Sequence, residues 1–108
     1  MEVVMPEFVL KLYVVGQTAR SQRAIANLRQ ICESILRDRY ELRIIDILED
    51  PEAAEVEKIL ATPTLIKLQP IPQRRIIGDL SDFAKVLEGL DIRKKNQELL
   101  QGGTYANG

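Results

Sequence analysis

The strongest constraint on this chain is the run Phe8-Val9-Leu10-Lys11-Leu12-Tyr13-Val14-Val15, almost continuously apolar, rich in β-formers and closed by Gly16. A run with so little polar alternation suits a central strand covered on both faces. The period then changes. Thr18 or Ser21 can cap a helix predicted to run to about Arg37, with Ala24, Ile25, Leu28, Ile31, Cys32, Ile35 and Leu36 at apolar positions. Arg20, Arg23, Asn27, Gln30 and Ser34 fall outside that stripe, so the 3.6-residue period holds for three turns. Residues 40–48, Tyr-Glu-Leu-Arg-Ile-Ile-Asp-Ile-Leu, predict a second strand. Strand, helix and strand in this order form a βαβ unit, which makes the two strands parallel with a right-handed crossover.

The second half is more broken. Asp50-Pro51 opens a short helix, Pro51 being acceptable in a first turn, with Ala53, Val56, Ile59 and Leu60 as its expected buried side. Ala61-Thr62-Pro63-Thr64 leads into a strand at Leu65-Ile66-Lys67-Leu68. Gln69-Pro70-Ile71-Pro72 interrupts regular structure, and Gln73-Arg74-Arg75-Ile76-Ile77 resumes as strand before a turn at Gly78-Asp79. Ser81 is the expected N-cap of a last helix carrying Phe83, Val86, Leu87 and Leu90 on one face. Gly89 falls inside that helix, at a cost of ~1 kcal/mol relative to Ala. The chain reads as one α/β domain over 1–95, followed by a flexible tail over 96–108.

Composition narrows the chemistry. Among 108 residues there is no histidine and a single cysteine, Cys32. That excludes histidine-based nucleophile activation, histidine-ligated metals, an internal disulfide and a CxxC pair. Cys32 lies on the apolar stripe, where a free thiol behaves as a small hydrophobe. Catalysis is not expected, nor is a cofactor. The net charge of −1 argues against a nucleic-acid partner. Charge is unevenly placed, however. Residues 1–45 hold seven bases, and residues 46–57 hold six acids and no base, an asymmetry suited to a protein partner. The opening residues lack a basic stretch and a long apolar run, so neither a signal nor a membrane span is predicted, and a cytoplasmic location is expected.

A βαβ unit, a short helix and then Thr62-Pro63 before a ββα segment is similar to the thioredoxin-like layout, in which a cis-proline precedes the third strand. Redox members carry a cysteine pair where the first strand meets the first helix. Here that place reads Gly16-Gln17-Thr18-Ala19-Arg20-Ser21, without sulfur. Three further stretches are specific: Phe8 to Gly16; Lys58-Ile59-Leu60-Ala61-Thr62-Pro63-Thr64-Leu65; and Arg74-Arg75-Ile76-Ile77-Gly78-Asp79-Leu80-Ser81. With Lys85-Val86-Leu87 and Gly89-Leu90-Asp91 they resemble the circadian clock protein family KaiB in one register over roughly residues 7–92.

The resemblance implies a non-enzymatic regulator. Such a protein binds a KaiC-type ATPase, sequesters a KaiA-type activator in the complex, and promotes KaiC dephosphorylation, with SasA- and CikA-type kinases meeting the same complex. It also implies fold switching between a βαββααβ ground state, assembled as a homo-oligomer, and a thioredoxin-like βαβαββα monomer that binds. By position, Arg23, Arg43, Lys58, Lys67, Arg74 and Arg75 match the family's basic, partner-binding residues. Pro63, Pro70, Pro72, Gly89 and Asp91 are the corresponding switch candidates. The chain departs from the family pattern in carrying charges at Glu88 and Lys94, in Ile71 between two prolines, and in a tail with Arg93-Lys94-Lys95. These departures point to a divergent KaiB paralogue, either in a clock-type system or as a sensory adaptor in stress or two-component signalling.

Overall fold

The computed structural model describes residues 5–92; the expected tail over 96–108, and Lys94, lie outside the described residues. The order is β1 (Phe8–Val14), α1 (Ala19–Ile31), a π-helical turn (Cys32–Leu36), β2 (Tyr40–Asp46), α2 (Pro51–Val56), β3 (Thr64–Gln69), β4 (Arg74–Ile77) and α3 (Phe83–Gly89). This is the βαβαββα order. The four strands form one sheet in the order β2-β1-β3-β4, with β1 parallel to β2 and antiparallel to β3, and β4 antiparallel to β3. The apolar run at 8–14 is therefore central, as its lack of alternation predicts.

One face of β1 presents Phe8, Leu10, Leu12 and Val14 to a core shared with α1 and α3, where Leu28, Ile31, Leu36, Val86 and Leu90 are buried. Of the two cap candidates, Thr18 takes the role: its Oγ1 accepts from the Ser21 N–H at 3.2 Å. Ser21 instead ties the helix start to β1, its Oγ accepting from the Val15 N–H at 3.0 Å.

The helix stays regular only to Ile31. Its last turn widens to π geometry, the Arg37 N–H returning to the Cys32 carbonyl at 2.6 Å while the Ser34 hydroxyl donates to the Gln30 carbonyl at 2.6 Å. The wide turn keeps Cys32 and Leu36 both buried.

Three local expectations are corrected. β2 stops at Asp46, because Asp46 Oδ1 accepts from the N–H groups of Gly16 and Leu48, both at 2.9 Å, and turns the chain. α2 buries none of its residues: it ends at Val56, the backbone turns at Lys58 with φ +55°, and Val56 and Leu60 are 77% and 96% exposed. α3 is capped by Asp82, whose Oδ1 accepts from the Lys85 N–H at 3.2 Å. Ser81 is instead held by the preceding turn, its N–H donating to Asp79 Oδ1 at 3.0 Å, and Phe83 is 45% exposed rather than on the buried face.

Candidate partner-binding surface

The place where a thioredoxin fold carries its thiols holds Gly16 to Ser21 and no sulfur. Thr62-Pro63, just before β3, is cis, and so are Gln69-Pro70 and Ile71-Pro72. The remaining thiol, Cys32, sits in the core, and burial pushes it up to about 12. Among the described residues no group of three or more His, Cys, Asp or Glu is placed to hold a metal ion.

Strand register sorts the cationic side chains. Arg43 on β2 stands opposite Lys11 on β1, Lys11 opposite Ile66 on β3, and Ile66 opposite Arg75 on β4. Arg43, Lys11 and Arg75 thus share one transverse row on the face turned away from α1, because successive strand residues alternate faces. Lys58 joins this side, since the Arg75 guanidinium donates to the main-chain carbonyls of Glu57 and Lys58. The next row holds Tyr13, whose hydroxyl is pushed up by burial first and by the Glu57 carboxylate second. Leu60, two residues beyond Lys58, is almost fully exposed.

The other three bases lie elsewhere. Lys67 and Arg74 face each other on the α3 side of the sheet, where both meet Asp91: Lys67 Nζ at 3.1 Å and Arg74 Nε at 3.3 Å. Lys67 is 1% exposed, so in this form it is an internal group and not part of an open surface. Arg23, in the first turns of α1, pairs with Asp79 at 3.2 Å. Of the six family-matched bases, Arg43, Lys58 and Arg75 thus come together on one side of the sheet, while Lys67, Arg74 and Arg23 lie on the other. Lys11 was not among the candidates. The parallel pairing of the βαβ unit, which sets it beside Arg43, is the signal that finds it.

The switch candidates occupy the second half. Asp91 has φ +60°, and its carboxyl is held below its ordinary value first by the Lys67 hydrogen bond. At Gly89 an added Cβ would lie 2.7 Å from Ile76 Cδ1, so the absence of a side chain lets α3 approach β4. The Gly78 N–H donates to the Pro63 carbonyl at 2.9 Å, joining the end of β4 to the start of β3.

These features define a thioredoxin-fold domain with a cationic sheet face in place of a redox centre. Among solved structures it is similar to the N-terminal domain of SasA from Synechococcus elongatus (22% identity, 94% of this chain and 90% of that one, TM-score 0.64). It is also similar to mitochondrial thioredoxin 3 from Saccharomyces cerevisiae (13%, 82% and 80%, TM-score 0.65). Residues 11–92 match the KaiB domain. The circadian clock protein KaiB3 of Synechocystis sp. is 57% identical over 88 residues, covering 82% of this chain and 86% of that protein. The circadian clock oscillator protein KaiB of Prochlorococcus marinus strain NATL2A is 58% identical over 85 residues, 79% of each. The chain belongs to the KaiB family.

Proposed function

We propose that this protein is a non-enzymatic regulator of a circadian clock-type system that binds a KaiC-type ATPase through the face carrying Arg43, Lys58 and Arg75. In that complex it takes up a KaiA-type activator and favours KaiC dephosphorylation, with SasA- and CikA-type kinases meeting the same assembly in the cytoplasm. The observation that carries this reading is the convergence of three of the family's basic positions on one side of a thioredoxin-like sheet. A cationic row suits an acidic partner surface, and such complementarity sets association rate and specificity.

The test is co-purification with a KaiC-type ATPase in the presence and absence of ATP. Lys58→Glu and Arg43→Glu, both at exposed positions, are expected to lower retention at least tenfold while leaving the melting temperature unchanged. Retention equal to the wild type in both variants overturns the assignment of this face. Retention on a histidine kinase alone supports the adaptor reading instead.

Fold switching belongs to the same proposal, with the βαβαββα form as the binding-competent monomer and the alternative packing as the homo-oligomer. Its support is positional: Pro63, Pro70, Pro72, Gly89 and Asp91 all fall beyond the β1-α1-β2 unit, in the segment an alternative packing would rebuild. Two sets of amide resonances in slow exchange, with populations that follow protein concentration, are the expected result.

A further inference from the structure

Each of the four arginines at the family's basic positions already holds a carboxylate of this same chain. Arg23 holds Asp79 at 3.2 Å, Arg43 holds Glu41 at 3.4 Å, Arg74 holds Asp91 at 3.3 Å and Arg75 holds Glu57 at 3.4 Å. Lys58, by contrast, pairs with no carboxylate among the described residues. We propose that Glu41 and Glu57 are built-in competitors for the partner's acidic groups, so that docking on the sheet face proceeds by exchange of carboxylates on Arg43 and Arg75. This rests on the partner reading above and adds to it a mechanism by which affinity is held down.

The geometry suits exchange. Glu41 and Arg43 sit two apart on β2, on the face turned away from α1, and among the described residues no other base is paired with Glu41. Arg75 is oriented by the carbonyls of Glu57 and Lys58, so it keeps its aim when the Glu57 carboxylate leaves. A guanidinium carries five N–H donors, enough to serve main-chain carbonyls and an incoming carboxylate together. The Arg43–Glu41 pair is solvent-exposed and the Arg75–Glu57 pair partly so, and such pairs are weak, so each can be displaced, yet each must be displaced before the partner gains its own pair.

The salt dependence follows. In the wild type one carboxylate replaces another on each guanidinium, and few ions are released. When the internal carboxylate is removed, the arginine gathers solution anions that binding must expel, so affinity falls more steeply with salt.

The experiment measures binding of the full chain to a KaiC-type ATPase at several salt concentrations, for Glu41→Gln, Glu57→Gln and the double variant. Glu52→Gln serves as the charge control, since Glu52 on α2 pairs with no base among the described residues. Each exchange variant is expected to bind about two- to fivefold tighter than wild type, the span set by a weak exposed pair, with a steeper salt slope. Glu52→Gln should show neither change. Tightening of Glu52→Gln to the same degree would mean that general repulsion is being relieved, and would overturn the proposal. Wild-type affinity and slope in both Gln variants, with Lys58→Glu still weakening binding, overturns the exchange and leaves the partner reading standing. No effect of Lys58→Glu or Arg43→Glu overturns both.

Discussion

Lys67 shows how much one position can hide. Its ammonium is buried on the α3 side of the sheet and its ion pair is with Asp91, which bonds Arg74 as well. Removing the carboxylate leaves a charge in the core without its counterion. Asp91→Asn is therefore expected to cost about 2–3 kcal/mol in urea unfolding. Replacing the buried pair by apolar groups is often neutral, so Lys67→Met should cost little and should abolish most of the Asp91→Asn penalty in the double variant. Additive penalties would show that the pair is not what holds the site.

The pH dependence has a definite sign. The Asp91 carboxyl is held below its ordinary value of 3.8 by the Lys67 hydrogen bond first and by Arg74 as well. Its contribution is fully present above that value and is lost as pH falls through the lower, folded one. Acid titration of stability should thus be shallower below pH 4 in Asp91→Asn than in wild type. Strand parity already carried the warning, because Lys67 lies two residues from Leu65 and shares its face. A match to a family's basic positions, by contrast, gives no information about burial, and Lys67 is buried.

At the level of elements, the first half follows from its pattern except at the end of β2, and the second half does not. In β1, α1 and β2 each apolar residue has one face to occupy, and the periods of the two element types differ enough to leave no alternative. Between Asp50 and Leu90 the helices are only six and seven residues long, too short for periodicity to choose a face. Turn chemistry decides there, as it does at the end of β2. Asp46 ends β2 by accepting two N–H groups, and Asp79 draws Ser81 into its turn, passing the cap of α3 to Asp82. Both carboxylates are plain in the sequence, but which amide each captures depends on neighbouring strands. The consequence is measurable. Asp82→Ala should destabilise α3 by about 1 kcal/mol, the usual worth of a side-chain cap, whereas Ser81→Ala should change stability by a few tenths at most. The reverse order would restore Ser81 as the cap.

For the whole molecule, a net charge of −1 conceals an organised surface. The seven bases of residues 1–45 do not gather as one patch, because the sheet sends them to different layers: Lys11 and Arg43 to one face, Arg23 to a helix on the other. The bases of the candidate site are plain in the sequence, but which of them share a surface is not. Register between strands, which places Arg75 in line with Lys11 and Arg43, is a property of pairing and not of spacing along the chain.

The sealed cysteine has a use of its own. Cys32 is enclosed between α1 and the sheet, and its thiolate is suppressed by burial. A thiol reagent can therefore reach it only when the two layers part. Labelling of the native protein should be slower than that of the unfolded chain by the opening equilibrium of this core, and a partner that grips the closed form should slow it further. Labelling at the rate of the unfolded chain would show a core that is already open. With no second thiol to confuse the signal, the chain carries a natural stopwatch for its own breathing.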